Sequence, residues 1–243
     1  NTNERESDER QAVQVLRSKR VDGMLIHPTQ GDSEHIRQLR NDGIPFVLIN
    51  RHVDEVNPDY IINNNQKGAY LAVRHLLELG HRRVLHISGP KRISSVQERI
   101  TGYKQALSEF NIPFDEKMVV HTLLDMQSSY ETTLRVFESR LAPTAIFTYS
   151  DLLAIGTLKA LRELNKKVPD DISLVGYDDI DFAAFLEVPL TTVRQQMYEI
   201  GRQAVKLLIE IIHDASYVPG KYKVVLDPEL IVRRSTSQVA QVR

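Results

Sequence analysis

Apolar runs alternate with amphipathic segments along almost the whole chain. Short runs rich in Val, Ile and Leu predict buried strands, and apolar positions at helical spacing between them predict helices. The predicted strands lie at 23–28, 46–50, 60–64, 84–89, 118–122, 144–149 and 172–176, with further extended runs at 190–193, 221–226 and 229–234. The predicted helices between them begin near residue 7 and then occupy 33–43, 66–80, 95–110, 130–139, 150–164 and 197–213.

Polar residues at the ends of these segments predict where several helices begin and end. Ser7 is a predicted N-cap, followed by acidic residues in the first turn. The second helix is predicted to run from a Ser33 cap to a stop at Gly43, and Ser95–Glu98 has the form of a capping box. Ser150 has the position of an N-cap for the helix that follows it.

The alternation of strands and helices predicts an α/β fold. Strands separated by helices form right-handed βαβ units and therefore parallel sheets. The strand runs are continuously apolar, as expected for strands covered on both faces. The pattern fits one sheet of about nine strands and fits two smaller sheets equally well.

The amino-acid composition limits the classes of protein to which this chain can belong. Hydrophobic residues make up 42% of the 243 and charged residues 26%, which is typical of a soluble protein with a proper core. The formal net charge is -1 and no basic run is present, so these residues are poor candidates for direct contact with DNA phosphates. The chain has no cysteine, which excludes disulfides and fits a reducing compartment.

No apolar stretch approaches the roughly 18 residues that span a bilayer, and the polar start is unlike a signal peptide. We therefore expect a cytoplasmic protein without membrane contact.

Polar and aromatic residues follow several predicted strands. In open α/β sheets, ligands bind beyond the carboxyl ends of the strands, so these residues are candidates for one site. Carboxylates accept hydrogen bonds from hydroxyls, arginine donates to oxygens, and tyrosine supplies a flat wall, which together suit a polyhydroxylated or otherwise polar small molecule. The candidates at the strand ends are Asn50, Arg51, Ser95, Arg99, Tyr149, Ser150 and Asp178.

Each candidate also has a purely structural interpretation. Asp178 or Asp179 could cap a turn, and Ser150 could act only as a helix cap. Arg99 lies near a predicted helix N-terminus, where the macrodipole disfavours a cation, so a partner should stabilise it. An oxygen-rich ligand would serve as that partner, and so would an ion pair with Glu98.

Motifs of catalytic and cofactor sites are not found in the sequence. There is no G-x-S-x-G elbow, no G-x-G-x-x-G and no Walker lysine loop. The histidines form no H-E-x-x-H pair, and His81 and His86 have the positions of structural residues. We therefore expect no enzyme activity, no cofactor and no metal site.

The order and spacing of several motifs are similar to those of one protein family. The segments are "AYLAVRHLLELGHRRVLHISGP", the S-x-x-E-R-x-x-G-Y of Ser95–Tyr103, "PTAIFTYSDLLAIGTLKALREL", "VPDDISLVGYDDI" and "PLTTVRQ". Together they resemble the effector-binding core of LacI/GalR-type bacterial transcription regulators, over nearly the whole chain. The resemblance implies a periplasmic-binding-protein-like fold, in which two doubly wound parallel-sheet subdomains are joined by three crossover strands and a ligand lies in the cleft.

The resemblance also implies boundaries and site residues. One subdomain would hold residues 1–62 and 196–227, and the other residues 63–195 and 228–243. Asp178 would bind ligand hydroxyls or ring nitrogens, and Arg99 would be the cleft arginine. The remaining implied contacts are Ser95, Ile93, Met126 and Gln195. The chain departs from many relatives in having Ser150 where sugar-responsive members have Asn, and Asn50 where purine- or pentose-responsive members have Asp, so the ligand class stays open.

The implied partners are a small-molecule effector, a second copy of the chain and operator DNA. The family's helix-turn-helix, hinge helix, first strand and helix, and second strand have no counterpart here, so we expect DNA to be bound by an N-terminal domain outside this sequence. The leading hypothesis is the effector domain of a sugar-responsive regulator, and a repressor in particular. The alternatives are a solute-binding protein of a sugar transport system, which has the same fold, and an enzyme with a doubly wound fold.

Overall fold

The computed structural model describes residues 5–29, 33–139, 141–214 and 216–239. The chain folds into two compact units, each made of separate stretches of sequence. The first unit contains the residues up to Asn64, together with Arg92–Ser94 and Gln196–Asp227. The second unit contains Asn65–Lys91, Ser95–Gln195 and the chain from Pro228 onwards.

The first unit is built on a parallel sheet of strand order β1-β2-β3-β9. Residue pairs such as Met24 with Phe46 set its register. In the part of the first unit that the structure describes, three α-helices pack with this sheet. The elements are α1 (Glu6–Ser18), β1 (Met24–Ile26), α2 (Glu34–Asn41), β2 (Phe46–Ile49), β3 (Tyr60–Asn63), α7 (Met197–His213) and β9 (Lys223–Leu226).

Helix α7 covers one face of this sheet with an apolar stripe. Ile200, Ala204 and Leu207 recur at helical spacing and are buried. They pack with Val47 and Ile61 of the sheet in one apolar cluster. The 3.6-residue period of the sequence therefore determines which side of α7 faces the strands.

The second unit is built on a six-stranded sheet of order β10-β8-β7-β6-β4-β5. All neighbouring strands run parallel except β10, which pairs antiparallel with β8. Its helices are α3 (Asn65–Glu78), α4 (Ser94–Glu109), α5 (Met126–Glu138) and α6 (Asp151–Glu163). Its strands are β4 (Val84–Ser88), β5 (Val119–His121), β6 (Ala145–Thr148), β7 (Ser173–Asp178), β8 (Thr191–Arg194) and β10 (Glu229–Ile231).

The core of the second unit joins α3 and α4 to the sheet. Leu76, Tyr103 and Phe147 are fully buried members of one cluster that includes residues of both helices and of β6. Because apolar burial is the main favourable term in folding, this cluster holds the strand ends in place.

The structure corrects the predicted starts of several helices. Helix α5 begins at Met126, four residues before the predicted start, and the Ser33 side chain makes no capping hydrogen bond to α2. Helix α1 begins at Glu6, so Ser7 lies inside the helix and its hydroxyl donates to Asp8 rather than capping the turn. Helix α4 begins at Ser94, so Ser95 is a helical residue and the predicted capping box does not form. The Ser150 cap is confirmed, since its side chain accepts a hydrogen bond from the Leu153 amide at 3.3 Å.

The prediction of an α/β fold with parallel-sheet subdomains is confirmed, and two sheets form rather than one of about nine strands. The unit boundaries lie at Asn64–Asn65, Gln195–Gln196 and Asp227–Pro228. The resemblance predicted the first boundary two residues earlier. It also assigned Ile93 to the second subdomain, whereas the short Arg92–Ser94 stretch clusters with the first unit.

Candidate functional site

Four neighbouring strands of the second unit bring polar side chains to one sheet edge. Strands β4, β6, β7 and β8 are adjacent and parallel, so their carboxyl ends lie side by side. The helices that follow β4 and β6 begin at this edge. The side chains and backbone groups gathered there belong to Asn65, Ser95, Arg99, Tyr149, Tyr177, Asp178 and Gln195.

Arg99 is the buried cation of this edge, with only 3% of its surface exposed. Its Nε and Nη2 groups donate to the Asn65 side-chain oxygen at 3.1 and 3.0 Å, and Nη1 donates to the Tyr149 carbonyl oxygen. Glu98 accepts from the Asn65 amide nitrogen at 2.8 Å, so the asparagine links the two charged residues. These contacts provide the partner that the position of Arg99 requires.

Two tyrosine rings enclose the Arg99 guanidinium. Its central carbon lies 4.2 Å from the centroid of the Tyr149 ring and 3.5 Å from that of Tyr177, which are cation–π distances. The Tyr149 hydroxyl is 3.0 Å from the Ser95 hydroxyl. Complete burial raises the pKa of Tyr177 to about 12, so the phenol stays neutral. The guanidinium is therefore held in one place by planar contacts and fixed acceptors.

Asp178 ends strand β7 and supplies the carboxylate of the edge. Its Oδ1 accepts a hydrogen bond from the Gln195 side chain at 2.6 Å. Burial raises the pKa of Asp178 to about 6, and the charge of Arg99 acts in the opposite direction. The group is therefore ionised at neutral pH, where it is a strong hydrogen-bond acceptor for a polar ligand.

The neighbouring Asp179 has a different role. Its carboxylate forms ion pairs with Arg194 at 2.7 Å and with Arg233 at 2.6 Å. These pairs tie the end of β7 to β8 and to the segment after β10. The turn-stabilising interpretation therefore applies to Asp179, whereas Asp178 bonds to the glutamine that follows β8.

The other predicted site residues lie in three different settings. Ser150 caps α6, so its side chain has a structural partner. Met126 begins α5 and is 48% exposed. Arg51 and Ile93 are buried and Asn50 is half-buried, and all three belong to the first unit. The described contacts join Ser95, Arg99 and Tyr149 in one cluster and Asp178 with Gln195 in a second. The ring of Tyr177, which precedes Asp178 in the chain, lies against Arg99 and connects the two clusters.

Sequence reasoning missed Asn65 and Tyr177. Asn65 begins α3 just after strand β3, so the rule that was applied to the other strand ends would have found it. Tyr177 directly follows the predicted strand at 172–176, so it was in view of the same rule, but it was not included among the candidate site residues. No periodic signal marks either residue as a partner of Arg99.

The described residues hold no group of three or more histidine or acidic side chains that could bind a metal ion. His86 is fully buried, and its pKa falls to about 3 because burial disfavours the charged ring, while its Nδ1 lies 3.0 Å from the Phe147 carbonyl oxygen. It is a neutral structural residue of β4. None of the helices in the described ranges has the length and apolar character needed to cross a bilayer.

The sheet topology and the polar edge define a ligand-binding domain of the periplasmic-binding-protein type. Residues 73–236 match the model of the periplasmic binding protein-like domain. The HTH-type transcriptional repressor PurR of Vibrio atlanticus is 34% identical over 230 residues, which cover 94% of this chain and 68% of the repressor. The PurR repressor of Haemophilus influenzae is 32% identical, with 93% and 68% covered. The chain belongs to the LacI/GalR family of transcription regulators, and it forms the effector-binding core.

Solved structures of regulators agree with this assignment. A complex of the transcriptional regulator CelR with cellobiose has a TM-score of 0.87 and 30% identity, covering 95% of this chain and 71% of that one. A LacI family regulator from Enterococcus faecium with bound ribose has a TM-score of 0.86 and 29% identity, covering 96% and 86%. The chain is therefore the ligand-sensing core of a transcription regulator rather than a transport protein. Its relatives are regulators and not enzymes.

Proposed function

We propose that this chain binds a sugar or a related polar metabolite at the Asp178 edge and that binding alters the affinity of the regulator for operator DNA. The observation that carries the proposal is that one sheet edge presents both a carboxylate acceptor, which is bonded to Gln195, and a guanidinium held between two tyrosine rings. Such groups recognise hydroxyls and ring nitrogens. The ribose and cellobiose complexes of the relatives support a sugar, and purines stay in the panel of candidates because Ser150 and Asn50 leave the ligand class open.

Further contacts of the proposed site come from residues whose roles rest on the resemblance. We assign Ser150, Met126, Ile93, Asn50 and Arg51 to ligand contact on that ground. The regulator relatives also support a cytoplasmic location and a repressor that reads operator DNA through its own DNA-binding domain. A ligand then acts by its different affinities for two states of the protein.

Calorimetry against pentoses, hexoses, disaccharides, phosphosugars and purine bases tests the proposal. We expect one class to bind with one site per chain and to be recovered chemically intact after long incubation. The same ligand should change operator affinity of the complete regulator in an anisotropy titration. Binding by no member of the panel would contradict the proposed function, and turnover that survives repurification would restore the enzyme hypothesis.

We also propose that two copies pair through the outer face of α6. The core of the second unit buries Leu153 and Leu161, whereas Leu152 is 44% exposed and Ile155 and Leu158 keep part of their surface exposed. Ile155 and Leu158 line a groove of about 630 Å³. Leu186 and Val188 also line this groove, together with charged side chains that include Lys159, Arg162 and Glu187. An apolar strip with a charged rim is typical of a protein interface.

The Leu158→Glu variant should therefore be monomeric. A carboxylate at the centre of an apolar interface would lose its hydration without gaining a partner, which costs several kcal/mol. Sedimentation velocity at micromolar concentration should give about twice the 27.8 kDa chain mass for the parent and a monomer for the variant. The matched control is Val205→Glu on α7, where a valine is 47% exposed outside this face. A monomeric parent would contradict the dimer.

A further inference from the structure

The turn after β7 has an unusual backbone. Asp178 has a φ of 117° and Asp179 a φ of 55°, and neither residue is glycine. Positive φ at consecutive non-glycine residues costs conformational energy and persists only where surrounding contacts hold it. Because Asp178 carries the acceptor of the proposed ligand site, the contacts that hold this turn determine where the acceptor lies.

A single buried carboxylate connects this turn to two other elements. Asp151 is the first residue of α6 and is 0% exposed. Its Oδ2 accepts a hydrogen bond from the Ile180 amide at 2.9 Å, directly after the two positive-φ residues. Its Oδ1 accepts from the Thr192 hydroxyl of β8 at 2.6 Å. Asp151 therefore holds together a helix, the turn and the neighbouring strand.

The surroundings show that Asp151 is not needed as a helix cap. The Ser150 side chain already fills that role for α6. Space for the carboxylate depends on Gly176 of β7, because a Cβ at that position would lie 2.1 Å from Asp151 Oδ1. The backbone of β7 thus approaches the carboxylate as closely as a glycine permits.

Burial raises the pKa of Asp151 to about 7, and the carboxylates of Asp178 and Asp179 on the same turn raise it as well. The arginines that pair with Asp179 balance part of that charge. Burying a carboxyl group costs free energy even when it makes two hydrogen bonds, and an apolar side chain would fill the same space at lower cost. The main contribution of Asp151 to the structure is therefore its hydrogen bonding to the turn.

We propose that Asp151 is a positioning residue for effector recognition, which fixes the strained turn so that the Asp178 carboxylate stays beside Gln195. Asp151 does not touch the ligand in this scheme. The inference rests on the proposed function of the Asp178 edge, but the state of the turn can be measured without any ligand.

The first arm of the test is hydrogen exchange on the unliganded protein. Asp151→Ala should raise exchange of the segment that contains Ile180, because the amide loses its acceptor. Asp151→Asn should keep protection, since its oxygen can accept from Ile180 while its nitrogen donates to the Thr192 hydroxyl. Thr192→Val removes one of the two hydrogen bonds of Asp151, and it replaces Asp151→Ala in the test if that variant fails to fold. Unchanged exchange in both Asp151→Ala and Thr192→Val would overturn the proposal.

The second arm measures effector affinity by calorimetry. Asp151→Ala should weaken binding at least about tenfold, and Asp151→Asn should stay within about threefold. In an Asp178→Asn background, Asp151→Ala should have no further effect, because coupled residues are not additive. The matched control is Thr157→Val, which removes a buried hydroxyl of the same helix that bonds to Ser129. We expect that variant to bind normally.

The outcomes separate the two proposals. Equal losses of affinity in the parent and Asp178→Asn backgrounds would show a general structural defect and overturn the positioning role. If the parent chain binds no member of the ligand panel, the proposed function fails, while the exchange measurement still decides whether Asp151 holds the turn.

Discussion

Replacing Asp178 by alanine is expected to weaken effector binding by about 3 kcal/mol, which corresponds to more than a hundredfold. The carboxylate is the charged acceptor of the site, and its partner Gln195 would lose a hydrogen bond at the same time. A ligand hydroxyl or ring nitrogen that loses this acceptor would be buried without a partner. Calorimetry with the effector identified in the panel measures the change directly.

The matched control for this variant is Asp181→Ala. Asp181 is an exposed acid three residues further along the same loop, and no contact links it to Arg99 or Gln195 in the described part of the chain. Its removal should change affinity by less than about twofold, as surface substitutions usually do. Equal affinity of Asp178→Ala and the parent protein would remove Asp178 from the site.

The protonation of Asp178 gives the same prediction a pH dependence. Its pKa is raised to about 6 chiefly by burial, so the carboxylate is present above that pH and is lost below it. Because ligand donors bind the ionised form, affinity should be level above about pH 7 and fall as the pH drops through 6. The residual binding of Asp178→Ala should lack this fall, and a parent profile that is flat down to pH 5 would contradict the assignment.

Replacing Gly102 by alanine is expected to destabilise the second unit by about 3 kcal/mol or more, the upper range of overpacking. Gly102 lies where α4 crosses α3, and a Cβ there would be 2.0 Å from the Gln66 carbonyl oxygen and 2.9 Å from the Tyr70 amide nitrogen. Both contacts are with backbone, so no side-chain rotation relieves them and the helices must move apart. Chemical denaturation should show a lower midpoint for the transition of this unit.

Gly201→Ala is the matched control for helix glycines. Gly201 lies within α7, and a Cβ there meets no atom within 4 Å in the described residues. Alanine should stabilise this position by about 0.5–1 kcal/mol, because it is the better helix former and the unfolded chain loses freedom. A Gly102→Ala variant as stable as the parent would show that the two helices separate at little cost.

Local patterns in the sequence were enough to predict most of the helices and strands of this fold. The strand around Val84–Ser88 and the helix around Met197–His213 follow directly from an apolar run and a helical period. These predictions succeed because the burial of one face of a helix or strand produces an apolar pattern that is visible within a few residues of sequence. The wrong helix starts at Ser7 and Ser95 arose because a serine followed by an acidic residue resembles a cap at more than one register.

The sequence also predicted some residues of the candidate site and missed others. The rule that ligands lie beyond strand ends found Asp178, Arg99 and Tyr149. The rule was not applied to the end of β3, so Asn65, which lies 34 positions from Arg99 in the chain and bonds to it, was missed. The rule also did not distinguish Asp178 from Asp179, although of these two residues only Asp179 forms ion pairs with two arginines.

The sequence by itself determined the α/β class, the order of the elements and the residues available at each strand end, because these depend on short-range periodicity. Tertiary structure alone decided that the strands form two sheets, that β8, β7, β6 and β4 are neighbours, and that Asp151 bonds to both Ile180 and Thr192. Those outcomes depend on contacts between residues far apart in the chain, formed when whole helices and strands pack. Such pairings leave no repeating pattern in one sequence, so only the folded structure reveals them.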